Sequence, residues 1–189
     1  MDAAEWKNFL ATWTRELVER KGNNPNVRRD LNPVTGLGFP GATEAQLVGT
    51  EARLGVRLPP SYREFLKATN GLQQPYSYVP ACGGDLWSAQ DLDWFNVRNA
   101  EWIDAYDGVD DASGFGSIRF VDELRGTLEL SHNGDSAVYL LNPHVKTDDG
   151  EWEAWFFASW SPDVERFRSF DEMMRTRYHQ FSAGVSDGF

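Results

Sequence analysis

Apolar positions recur at helical spacing near both ends of the chain and at strand spacing between them, with stop signals at the boundaries. Trp6, Phe9, Leu10, Trp13 and Leu17 share one face, which predicts a helix over about residues 2–20 closed by Gly22-Asn23-Asn24-Pro25. Residues 22–42 hold two Asn-Pro pairs, a Gly-Leu-Gly and Phe39-Pro40-Gly41, the composition of a loop packed on the domain rather than of a linker. Thr43 followed by Gln46 forms a capping box, Leu47, Val48, Glu51 and Leu54 follow at three- and four-residue spacing, and Gly55 stands where a helix ends with positive φ. Pro59-Pro60 then stiffens the chain into a corner. Ser61 with Glu64 reads as a second capping box, Tyr62, Phe65, Leu66 and Thr69 share a face, and Asn70-Gly71 is a stop.

Strand patterns follow at 77–79, 85–87, 117–121, 127–131, 137–142 and 151–158. Asn133-Gly134 lies between two β-rich runs and predicts a hairpin, with Asp135 leaving the loop length open. Ser161-Pro162, then Ser169 with Glu172, open a last helical region whose Phe170, Met173, Met174 and Tyr178 can cover a sheet. The fold class expected is α+β: a single domain over 1–189 with a mostly antiparallel sheet, an N-terminal helix and loop extension over 1–42, and a core over 43–182 closed by a C-terminal helix.

The run Glu51, Leu54, Gly55, Leu58, Pro59, Tyr62, Phe65, Leu66, Asn70, Gly71 resembles the N-terminal signature of the SUKH superfamily, the Smi/Knr-type group of bacterial immunity proteins and their eukaryotic relatives. Weaker pieces keep the family's order: Leu86-Trp87-Ser88 leading into Asp91-Leu92, the run 128–141 as a central hairpin, 152–157 as a late strand, and Ser169-Phe170-Asp171-Glu172-Met173-Met174 as a closing helix. The resemblance spans about residues 43–182, whereas 1–42 and 94–117 depart from it. It implies a non-enzymatic protein that neutralises a cognate toxin by direct binding, within a polymorphic toxin system. The alternative it implies is a regulatory scaffold for an endogenous partner, as for fungal relatives linked to cell-wall synthesis and signalling.

Charge places the partner surface. Of 18 basic and 29 acidic residues, segment 1–84 nets +2, 85–165 nets −14 and 166–189 nets +1. Such a field repels phosphate backbones, which argues against direct nucleic-acid binding, and steers a basic partner. Ordinary solubility is the competing explanation of the same acids. Six of eight Trp lie in this segment, and most Trp are core, so one or two are expected at the surface, with Trp94 and Trp102 chosen. The partner-binding set is therefore Trp94 or Trp102 as an anchor, with Asp104, Asp107, Asp110, Asp111, Asp148, Asp149, Glu151 and Glu153 steering a basic toxin domain such as a nuclease, whose active site would be occluded.

Catalytic chemistry is poorly supplied. No nucleophile motif surrounds Cys82, and a lone cysteine cannot form an internal disulfide. His132, His144 and His179 lack the short pairings of zinc sites. The acids around Gly108 miss the calcium-loop pattern, and Asp148-Asp149-Gly150-Glu151 reads as a turn rather than as paired glycosidic carboxylates. No phosphate loop or cofactor motif is present, so neither cofactor nor metal is expected. No run of about 18 apolar residues or secretory signal is written, so a cytoplasmic protein without membrane contact is expected. The oligomeric state and the toxin's chemistry are open at this level.

Overall fold

The computed structural model describes residues 1–21, 31–32, 34–73, 84–106, 118–161 and 164–183. Helix α1 (Ala3–Lys21) opens on Asp2, whose Oδ1 accepts from the backbone N–H of Ala4 and Glu5, both at 2.8 Å. Trp6, Leu10, Trp13 and Leu17 point inward from it, all buried. Helix α2 (Glu44–Leu54) carries the expected box: Thr43 accepts from the Gln46 N–H while Gln46 Oε1 accepts from the Thr43 N–H. Gly55, at φ 72°, ends it in the left-handed region that glycine reaches without a Cβ penalty.

Helix α3 (Pro60–Ala68) begins two residues earlier than the capping pattern suggests, with Pro60 in its first turn and no side-chain cap from Pro59. The expected Ser61/Glu64 box is absent. Ser61 instead donates its N–H and Oγ–H to the two carboxylate oxygens of Glu151, at 2.8 and 2.7 Å, and Glu64 accepts from the Lys67 ammonium and the Ala3 N–H. A distant carboxylate at the positive end of the helix does the work of a local cap.

Five strands, β1 (Asp93–Trp94), β2 (Leu128–Glu129), β3 (Ala137–Lys146), β4 (Trp152–Ala158) and β5 (Glu165–Phe167), form an antiparallel sheet in chain order. The expected strand at 85–87 is reduced to one residue with two isolated bridges, Leu86 pairing with both Leu72 and Ser131. That at 77–79 lies outside the described residues. The hairpin turn falls two residues beyond Asn133-Gly134: Asp135 and Ser136 both have positive φ (52° and 58°), and Gly134 and Ala137 exchange both backbone bonds, a two-residue turn of the kind that matches strand twist. Between Asn142 and Lys146 the β3–β4 register slips, so Pro143, His144 and Val145 bulge from the ladder.

Both faces of the sheet are covered. On the first face Ala137, Tyr139, Leu141, Ala154 and Phe156 meet α1, α2, α3 and the C-terminal helix α7 (Phe170–Ala183). On the second, Val138, Leu140, Trp155 and Phe157 meet Phe95, Ile103, Val121 and Leu124. These last four come from α4 (Phe95–Arg98), α5 (Ala100–Tyr106) and α6 (Ile118–Arg125). The α6 segment was expected as strand at 117–121. Its Val121 and Leu124 fall three residues apart on the face turned to the sheet, and that burial overrides the β-propensity of Ile118, Phe120 and Val121. Among the described residues the architecture is α+β, helices on both faces of one antiparallel sheet.

Candidate functional site

Alternation along the strands decides which polar side chains sink into the second face. Asp93, Glu129, Leu140, Trp155 and Arg166 stand in register across the five strands, a row beneath α4 and α6. Glu129 is 3% exposed. Its Oε1 accepts from Asn99 Nδ2 at 3.2 Å, while Oε2 has no hydrogen-bond donor. The cation beside it is Arg98, whose Nη1 stands 3.8 Å from Oε2. Burial, the largest cause, pushes the Glu129 carboxyl above the usual carboxylate range, Asn99 and Arg98 pull it back, and Asp93 adds to the rise. Arg98 itself is shared, since its guanidinium also lies 4.6 Å over the Trp87 ring and donates to the Asp91 carbonyl.

At the other end of this face one carboxylate oxygen of Glu153 gathers three donors. Its Oε2 accepts from Trp155 Nε1 at 2.6 Å and Arg166 Nη1 at 3.1 Å, with Asn142 Nδ2 at 3.4 Å. Arg166 also lies 4.4 Å over the Trp155 ring and 3.5 Å from Glu123 on α6. This cluster fastens β4, β5 and α6 together.

The expected partner-binding residues separate into two places. Trp102 and Asp104 lie on α5, on the outside of the second face, beside the exposed Val97 and Glu101. Asp148 and Asp149 are exposed at the β3–β4 turn, where Thr147 donates to Asp149 and holds its carboxyl below the usual range. Glu151 and Glu153, on the same hairpin, face inward to Ser61 and Arg166. Asp107, Asp110 and Asp111 lie outside the described residues, as does Cys82.

The two chosen tryptophans are half-buried rather than exposed. Trp94 packs against the first core and Trp102 lies edge-on to Phe157 at 5.5 Å and near Phe95 at 5.8 Å. The large exposed tryptophan is Trp160, at 42%, donating its indole N–H to the Asp135 carbonyl across the hairpin end. Glu129, Arg98 and Asn99 escaped the sequence reading, because Leu128-Glu129-Leu130 reads as a strand with its acid turned to solvent. The signal was the unbroken apolar run of β3, which implies a sheet covered on both sides.

A further cleft of about 570 Å³ opens between the Pro59-Pro60 corner and the β3–β4 hairpin, lined by Glu51, Arg57, Arg63, Lys146 and Trp152. Two of its acids are already committed: Arg63 bridges Glu44 and Glu51. Nothing in this cleft pairs a nucleophile with a base. His132 stacks on Trp87, His179 packs near Tyr178, and His144 sits over Gly126. Among the described residues no group of three His, Cys, Asp or Glu is placed to hold a metal ion, and no helix is long and apolar enough to cross a membrane.

No curated protein matches the chain. Residues 41–176, running from the α2 capping box through the whole sheet into the closing helix, match the SMI1/KNR4 family (SUKH-1), and the chain belongs to that family.

Proposed function

We propose that this protein is an immunity protein that binds a cognate toxin directly, with the α4–α5 layer as its main contact surface and a basic toxin domain, such as a nuclease, as the partner. The family includes immunity proteins, which bind toxins, and its domain is generally a non-enzymatic immunity or regulatory one. The observation that supports this surface is its charge: residues 85–106 carry five acids against the single cation Arg98, a net −4, and the Arg98 guanidinium is engaged by Glu129 and Trp87. Asp91, Glu101 and Asp104 are left to face solvent around Val97, which is 62% exposed. An apolar centre within a charged rim is the anatomy of a recognition surface, and a field of one sign speeds encounter with its opposite. The partner set of Trp94, Trp102, Asp104, Asp107, Asp110, Asp111, Asp148, Asp149, Glu151 and Glu153 narrows, in this proposal, to Trp102 and Asp104 with the acids that follow them in sequence. The site of action is proposed to be the cytoplasm of the producing cell.

The test is co-expression with the C-terminal domain of a large toxin encoded beside this gene. Survival of cells that the toxin alone kills, together with a stable complex of the purified pair, is the expected result. An isolated gene, or a neighbouring toxin that neither binds nor is neutralised, would overturn the reading in favour of a regulatory scaffold.

A further inference from the structure

Glu129 is a carboxylate that the chain buries without supplying enough donors. One oxygen has Asn99, and the other faces Arg98 beyond hydrogen-bond distance. Ionised carboxylates inside proteins are ordinarily paired closely or bridged by several donors, because desolvation is otherwise uncompensated. The residues that roof it belong to a short element: α4 is one turn long, anchored by Phe95 and closed by Asn99, whose N–H bonds back to the Phe95 carbonyl. Arg98 leads from that roof to the surface with its side chain 32% exposed, and the outward side of the same layer is acidic.

We propose that Glu129, beneath Arg98 and Asn99, is a socket for an arginine side chain of a basic protein partner, and that Arg98 is the occupant standing in for it in the free protein. A guanidinium is the group that fits: planar, always charged, and able to give two parallel N–H bonds to one carboxylate, which a lysine ammonium cannot reproduce. Asp93, in register beside Glu129 on β1, adds a second negative charge at the socket wall. The exposed acids Asp91, Glu101 and Asp104 bring the cation to the layer, and Arg98 swings outward as the incoming guanidinium takes Oε2. The inference rests on the proposal that this layer meets a basic protein.

The test removes the stand-in. The full chain, Arg98→Ala and Arg98→Ala/Glu129→Gln are titrated with a blocked Gly-Arg-Gly peptide and with Gly-Lys-Gly, following the Asn99 side-chain amide and the backbone amides of 95–104 by NMR. Arg98→Ala is expected to bind the arginine peptide about tenfold more tightly than the unmodified chain, a difference of about 1.4 kcal/mol, with the gain lost in the double variant and smaller for lysine. A merely structural Arg98 would give no gain. Equal affinity of the unmodified chain and Arg98→Ala, or a gain that survives Glu129→Gln, overturns the socket. Should the double variant fail to fold, Glu129→Gln alone decides: weaker binding supports the socket and unchanged binding overturns it. Peptide binding at Glu129 without toxin neutralisation would overturn the immunity reading and leave the socket standing. Neutralisation without Arg98-dependent binding would overturn the socket alone.

Discussion

The two faces of the sheet are sealed by different materials. On the first, Trp6, Tyr62, Phe65 and Phe170 form a ring cluster with centroids 4.7–6.0 Å apart, from three helices far apart in sequence. On the second, three shorter helices lie over a smaller apolar patch bordered by Glu123, Glu129 and Glu153. Aromatic packing over a large apolar area supplies stability without regard to pH, whereas buried carboxylates contribute little net stability but respond to cations. The first face is therefore where the domain is held together, and the second is where a charged partner can alter it.

The largest effects should come from the first face. Phe65→Ala is expected to cost about 3–5 kcal/mol and to lower the thermal midpoint of the whole chain, because Phe65 is fully buried between Trp6 and Phe170. Phe95→Ala, equally buried on the second face, should instead speed amide exchange in α4–α6 while β3 and β4 keep their protection, since local layers open below the global free energy. A matching fall in midpoint for the two variants would break the comparison. Next in size is the link between α3 and the hairpin: Glu151→Gln weakens two charge-assisted bonds to Ser61 and should cost about 1–2 kcal/mol by denaturant titration.

Much of the first face was legible in the chain itself. The Thr43/Gln46 box, the Gly55 stop and the α1 stripe of Trp6, Leu10, Trp13 and Leu17 depend on neighbours within one or two turns, where propensity and capping act. The second face was not, for the opposite reason. Whether Glu129 points to solvent or to α4 depends on Asn99, thirty positions away, and whether 118–125 coils or extends depends on the sheet beneath Val121 and Leu124. The Ser61 cap was misassigned to Glu64 because its true acceptor, Glu151, comes from a hairpin ninety residues on. Glu151 reads as a turn acid and Glu153 as an acid on the following strand, both offered as steering charges, whereas in the fold they hold Ser61 and Arg166.

Glu129 sharpens the comparison through pH. Its carboxyl is raised in the folded chain, so the folded state binds a proton more readily than the unfolded one. The associated stability is fully present below the ordinary glutamate pKa and is lost as pH rises through the elevated value. Glu129→Gln should therefore be more stable than the unmodified chain at neutral pH, by about 1 kcal/mol for relief of an unmet buried oxygen, and should lose that advantage in acid. Amide exchange of α4 and α5 between pH 4 and pH 8 is the readout. A layer whose protection rises with pH would contradict both the sign and the description of Glu129 as under-supplied.

The smallest effect on folding should come from the outer acids, and it separates steering from stability. Glu101 and Asp104 are exposed on α5 and their side chains make no hydrogen bond or ion pair among the described residues, so Glu101→Lys/Asp104→Lys should leave the folding free energy within about 0.5 kcal/mol. The same pair changes the local charge by four, enough to slow association with a basic partner about tenfold at low salt, the difference shrinking towards about 0.15 M as the Debye length falls near 8 Å. Asp148→Lys/Asp149→Lys alters the net charge by the same amount at the hairpin turn, on the other side of the Glu151 tie. If the two pairs slow association equally, the partner senses only total charge and the second face has no special standing. A slower rate confined to the α5 pair means that the field is read where the layer covers Glu129.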